Sequence, residues 1–152
     1  MGRTAEVARK TGETDIQIRI DLDGTGASAI DTGVGFFDHM LTALSRHSLI
    51  DMDIAVKGDT WVDDHHTVED TGIALGQAIA QALGDKRGIR RFADCAVPLD
   101  EALIQCALDI SGRGELFWDV PIGPDKVGTF DTELAQEFFC GFARQAGITL
   151  HL

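Results

Sequence analysis

The chain has 152 residues, 44% of them hydrophobic and 25% charged, which is single-domain size and enough to bury most of a core. Its formal net charge of −12 argues against duplex nucleic acid as a partner, because that binding is largely cationic neutralisation of phosphates, though a local arginine cluster can still hold a small anion. No apolar run approaches the roughly 20 residues that span a bilayer, and the N-terminal MGRTAEVARKTGETD has no apolar stretch after its basic residues, so neither membrane nor secretory targeting is expected and a cytoplasmic location is.

In chain order, Ile16, Ile18, Ile20 and Leu22 alternate with polar residues and predict a strand. Phe37, Met40, Leu41 and Leu44 fall at i, i+3, i+4 and i+7, the stripe of an amphipathic helix. Met52, Ile54 and Val56 predict another strand. A second helix is expected from His65-His66 through Ile73, Ile79 and Leu83 to a stop at Gly84, with Asp63 or Asp64 as its natural N-cap. Ile104, Cys106, Leu108 and Ile110 alternate, so Cys106 reads as a small buried apolar residue. The three cysteines are odd in number and lack Cys-x-x-Cys spacing, which suggests neither a disulfide frame nor a zinc ribbon. Leu116, Trp118, Val120 and Ile122 predict a strand, and Leu134, Phe138, Phe142 and Ala143 a third helix ending near Gly147.

The order of elements repeats. Ile20-Asp21-Leu22-Asp23-Gly24-Thr25-Gly26 resembles Leu108-Asp109-Ile110-Ser111-Gly112-Arg113-Gly114, 88 residues later. Met40-Leu41 to Leu44 matches Phe138-Phe139 to Phe142, and Ile50 to Ile54 matches Ile148 to Leu152, both at a shift of 98. The expected fold is α+β: an internally duplicated two-layer sandwich whose halves, residues 1–87 and 88–152 of one compact domain, each read strand, strand, helix, strand, helix. The second half is expected to be incomplete, because the twin of the His65 helix would lie past Leu152.

The segment Asp63-Asp64-His65-His66-Thr67-Val68-Glu69-Asp70 is the richest in chemistry. On a helix His65 and Glu69 are i, i+4 and His66 and Glu69 are i, i+3, close enough to meet. Adjacent histidines diverge by about 100°, which suits two neighbouring metal ions better than one. Imidazole with carboxylate suits Mn, Fe, Co or Zn. A solvated acidic helix start with two surface histidines would look similar; the glutamate at helical spacing and the upstream Phe-Phe-Asp-His favour metal.

Gly35-Phe36-Phe37-Asp38-His39-Met40-Leu41 and Asp64-His65-His66-Thr67-Val68-Glu69-Asp70, with Leu75-Gly76 after them, resemble the signature segments of the imidazoleglycerol-phosphate dehydratase family. So do Asp21-Leu22-Asp23-Gly24-Thr25-Gly26, Gly88-Ile89-Arg90-Arg91-Phe92, Pro98-Leu99-Asp100-Glu101-Ala102, Ser111-Gly112-Arg113, Val127-Gly128-Thr129-Phe130-Asp131 and Thr149-Leu150-His151, in the family's order across residues 3–152. The resemblance implies a duplicated βαβ-type sandwich and the dehydration of imidazole glycerol phosphate to imidazole acetol phosphate in histidine biosynthesis. It implies two manganese ions per site, no organic cofactor, a phosphate-ester substrate, and trimers assembling into a 24-mer.

By the same resemblance His39, His65, His66 and Glu69 are metal-site residues, with His39 also near substrate. Glu137 aligns with His39 in the internal repeat and stands where many members carry histidine, so it is a further expected ligand. Arg91 and Arg113 match the phosphate-binding arginines, and a guanidinium suits that anion. Glu13 matches an acidic residue near substrate that could move a carbon-bound proton, and with Glu69 makes up the expected catalytic pair. His47 and His151 read as structural or near-site. Members of the family continue after the Thr-Leu-His strand with a second His-His-x-x-Glu helix and further lysine and serine phosphate contacts, so the 152 residues are expected to carry about half the ligands and to be inactive alone. Two other classes stay open from the residues themselves: a metallohydrolase of a phosphorylated metabolite, and a metal-organised assembly protein without turnover. The arginine pair speaks against the second.

Overall fold

The structure, a computed structural model, describes residues 2–152. The chain opens with a hairpin, β1 (Thr4–Lys10) and β2 (Thr14–Asp21), paired from Thr4 opposite Asp21 to Lys10 opposite Asp15. β3 (Ser28–Asp31), α1 (Gly35–Ser48), β4 (Asp51–Gly58) and α2 (His65–Leu83) follow. β4 runs antiparallel to β2 and parallel to β3, giving a sheet of order β1-β2-β4-β3. The alternation read in the sequence puts Ile16, Ile18 and Ile20 beside Met52, Ile54 and Val56 on one buried face.

The second half repeats this plan. β5 (Phe92–Leu99), β6 (Ala102–Asp109) and β7 (Glu115–Phe117) are followed, after the small hairpin β8 (Lys126–Val127) and β9 (Phe130–Asp131), by α3 (Leu134–Ala146) and β10 (Thr149–His151). The sheet order is β5-β6-β10-β7, with β10 antiparallel to β6 and parallel to β7. Strand for strand this is the order of the first sheet, and α1 and α3 hold equivalent places. The fold is therefore α+β and duplicated. Each half opens with one strand, β1 or β5, that the periodicity reading did not find.

α2 packs on β1, β2 and β4 and also lies along α3, which itself packs on β7 and β10. The helices thus fill the space between the two sheets, and one cluster of buried side chains crosses both halves. The helix contact is close because glycines line it. A Cβ on Gly72 would sit 2.4 Å from the Phe138 carbonyl oxygen, and one on Gly76 2.5 Å from that of Phe142. Gly84 and Gly147 end α2 and α3 at positive φ, where the expected stops lay.

Three expectations change. The strand read over Leu116–Ile122 is only Glu115–Phe117, paired in parallel with Thr149–His151, and Pro121 brings no N–H to extend the ladder. Asp64 occupies the N-cap of α2 without a side-chain capping bond; Asp63 accepts the His65 N–H instead, at 2.9 Å. Cys106 is half-buried rather than buried. Among the described residues no helix lies over β5 and β6 as α2 lies over β1 and β2, which leaves Val97, Leu99 and Ile104 exposed on the corresponding face. No described helix is long and apolar enough to cross a membrane.

Candidate metal and phosphate site

The first turn of α2 presents the histidine pair. The His65 and His66 rings are 6.1 Å apart and nearly perpendicular, at 81°. Each has a carboxylate partner. His65 Nε2 lies 3.3 Å from Glu69 Oε2, one helical turn on, and both side chains are partly open to solvent. His66 Nδ1 lies 2.9 Å from Oδ2 of Asp59, a buried residue just beyond β4. The Asp59 contact holds the His66 imidazole above its ordinary pKa; desolvation opposes this, and the charges of Asp59, Glu13 and Asp63 add to it.

Glu13 sits in the β1–β2 turn with its side chain exposed. Its carbonyl accepts the Asp59 N–H at 3.0 Å, which ties the turn to the histidine loop. A second tie comes from α2, where Asp70 accepts the buried Thr14 hydroxyl at 2.6 Å and pairs with Arg9 at 3.0 Å. Glu13 is therefore carried on a hairpin end fixed at two points, one on the loop before α2 and one on α2 itself. Asp64, partly buried, has its carboxyl pushed up by desolvation first and by nearby Asp131 and Asp63, against the pull of Lys126.

The arginines meet elsewhere, at the start and end of the β5–β6 hairpin. Arg91 donates from Nε and Nη2 to the two oxygens of Asp109, at 2.6 and 3.0 Å, and its guanidinium lies 4.8 Å from the centre of the Phe92 ring. Arg113 Nη2 is 3.7 Å from the same carboxylate and its side chain is 75% exposed. Asp109 is held below the usual carboxylate range, mainly by the Arg91 hydrogen bond, with both guanidinium charges contributing against the cost of burial. Lys86 adds a third cation: its Nζ lies 3.2 Å from where a Cβ on Gly112 would be.

His39 and Glu137 occupy matching places in the first turns of α1 and α3, His39 exposed and Glu137 half-buried. Among the described residues no three His, Cys, Asp or Glu side chains converge as a metal-holding group. His65 with Glu69, and His66 with Asp59, are the pairs that form; His39 and Glu137 do not join them. His151 stacks on Phe117 at 4.4 Å. His47 borders an apolar groove of about 510 Å³ between α1 and α3, with Phe36, Met40, Phe138 and Phe139. Asp59 and Thr14 escaped the sequence reading, since each acts through a contact across the fold that no spacing from the histidines records; Asp70, four residues after His66, lay in the quoted segment but was given no role of its own.

The family profile described as imidazoleglycerol-phosphate dehydratase matches residues 32–152. Imidazoleglycerol-phosphate dehydratases of Ruegeria pomeroyi and Agrobacterium fabrum are 62% and 63% identical over 150 residues, which is 99% of this chain and 77% and 76% of theirs. The crystal structure of imidazoleglycerol-phosphate dehydratase from Staphylococcus aureus superposes with a TM-score of 0.87 at 38% identity, covering 97% of this chain and 81% of that one. The Pyrococcus furiosus enzyme, in complex with (S)-C348, gives 0.82 at 36% identity, covering 95% and 77%. With a profile match over most of its length and relatives above 60% identity, the chain belongs to the imidazoleglycerol-phosphate dehydratase family, enzymes of histidine biosynthesis.

Proposed function

We propose that this dehydratase eliminates water from imidazole glycerol phosphate, giving imidazole acetol phosphate, at a metal centre of which these residues supply the first half. The observation that carries the reading is the perpendicular His65–His66 pair, each imidazole partnered by a carboxylate on or beside α2. The donor chemistry fits a divalent transition ion: imidazole nitrogens, the Glu69 carboxylate one turn away, and partial exposure that leaves room for a ligand. His65, His66 and Glu69 would hold manganese, with His39 and Glu137 as further donors. Bound metal would favour the deprotonated form of the substrate's imidazole ring, so that the ring can accept charge during elimination.

The chain's own residues supply the rest. Glu13, on its doubly tied turn, takes or returns the carbon-bound proton. Arg113 and Arg91 hold the phosphate and so fix the carbon chain relative to Glu13. Because no three donors converge within the described residues, the remaining ligands are proposed to come from elsewhere in a homo-oligomer, trimers building a 24-mer. The location is proposed to be cytoplasmic.

The test is a dehydration assay, with metal analysis, on this polypeptide and on one of its relatives' length. Turnover and manganese are expected in the longer form, and both should fall sharply on His65→Ala or His66→Ala. Unchanged metal content in both variants would remove α2 from the site. Release of inorganic phosphate in place of dehydration would favour a metallohydrolase.

A further inference from the structure

We infer that Asp59 is a positioning residue for the proposed metal centre: its carboxylate keeps the proton of His66 on Nδ1 and turns Nε2 outward as the metal-binding nitrogen. This rests on the metal reading above and extends it by a residue that the spacing motif does not contain. The Asp59 oxygen is 2.9 Å from His66 Nδ1, and an ionised carboxylate can only accept there, so the proton belongs to the imidazole. With Nδ1 engaged, the lone pair is left on Nε2, on a side chain still 43% open to solvent.

The backbone around Asp59 leaves its side chain little choice. Gly58 ends β4 against α2 so closely that an added Cβ would overlap the Thr67 hydroxyl. The next residue's N–H donates to the Glu13 carbonyl, and its own carbonyl accepts the Val62 N–H at 2.8 Å. Asp59 is 6% exposed, and its second oxygen, Oδ1, is buried without a hydrogen-bond partner. A residue serving only to close the loop would gain stability from satisfying both oxygens or from being neutral, because an unpaired buried polar atom is unfavourable. A carboxylate kept at that cost, with its other oxygen on an imidazole, matches the outer-shell partners that orient metal-bound histidines. Through its N–H, Asp59 also fixes the turn that carries Glu13, so one residue sets the spacing between a metal donor and the proposed proton-transfer group.

The experiment compares wild-type protein with Asp59→Asn and Asp59→Ala. Nitrogen NMR of metal-free protein, at a pH where the imidazole is neutral, is expected to show His66 with its proton on Nδ1 in the wild type. The preference should be lost in both variants, since an amide can donate as well as accept and alanine does neither. Manganese titration should show binding weakened roughly 10- to 100-fold in the variants. A wild-type His66 protonated on Nε2, or variants that bind manganese as tightly as wild type, would overturn the inference. The wild-type measurement decides the matter even where a variant does not fold. If wild-type protein binds no manganese, the metal reading fails, while the tautomer still judges Asp59 separately.

Discussion

Ile18 and Cys106 stand 88 residues apart at the same point of the two sheets, yet Ile18 is 1% exposed and Cys106 is half-buried. Each is the middle of three alternating inward positions on the second strand of its half, Ile16-Ile18-Ile20 and Ile104-Cys106-Leu108. What differs is the layer above. α2 lies over β2, and no described helix lies over β6.

Matched truncations should therefore have unequal costs. Ile18→Ala is expected to destabilise the protein by about 2–5 kcal/mol, through lost transfer energy and the cavity left behind. Cys106→Ala should cost less than about 1 kcal/mol, in the range of partly exposed sites. Guanidinium unfolding of the two variants checks this, and equal shifts would mean that the second sheet is covered as well as the first.

The difference between these two residues also shows what the sequence could and could not convey. Alternation and helical stripes located β2, β4, β6 and all three helices, because those elements bury one face and the spacing records it. β1 and β5 were missed since they are first strands whose polar and apolar residues alternate weakly. β7 was read too long because alternation continues past the point where a pairing strand exists. In the site, His65, His66 and Glu69 were legible from spacing along one helix. Asp59 was not, since its tie to His66 depends on how β4 meets α2, a tertiary relation with no linear signature.

Gly72 and Gly76 give a second prediction. Alanine is intrinsically the better helix former by about 1 kcal/mol, so each substitution would help an isolated helix. Here an added Cβ would come within 2.4 Å of the Phe138 oxygen or 2.5 Å of the Phe142 oxygen, both backbone atoms that cannot turn aside. Gly72→Ala is expected to destabilise by about 1–3 kcal/mol as α2 and α3 are forced apart. A rise in Tm would show that the helices do not approach so closely.

A pH effect follows from the N-terminal segment. Arg3 donates from its backbone and guanidinium to Asp23, and this lowers the Asp23 carboxyl from its ordinary 3.8 to about 2. A carboxyl depressed by folding contributes stability that is fully present above its unfolded value. That contribution is lost as pH falls from near 3.8 through about 2. Both side chains are open to water, so the effect on global stability should be small and salt-sensitive. NMR titration should find Asp23 well below its ordinary range in wild type and raised part of the way back in Arg3→Ala, which keeps the backbone N–H bond; an unshifted wild-type value would discard the pairing.

The arginine pair separates binding from stability. Arg91 is engaged on both oxygens of Asp109, whose side chain is only 19% exposed, so removing Arg91 strands a partly buried carboxylate. Arg113 reaches the same carboxylate only at 3.7 Å and is largely in solvent, free to turn toward an incoming phosphate. Arg113→Ala is therefore expected to leave the Tm nearly unchanged and to weaken handling of the phosphorylated substrate. A lost charge-assisted hydrogen bond of about 1.5–3 kcal/mol would lower kcat/KM roughly ten- to a hundredfold, mostly through KM. Arg91→Ala should lower both kcat/KM and Tm, because the stranded Asp109 charge also repels the phosphate. Steady-state kinetics with thermal unfolding on both variants distinguishes the two roles. An Arg113→Ala enzyme of unchanged kcat/KM would remove that residue from the phosphate site and leave Arg91 and Lys86 as the cations to examine.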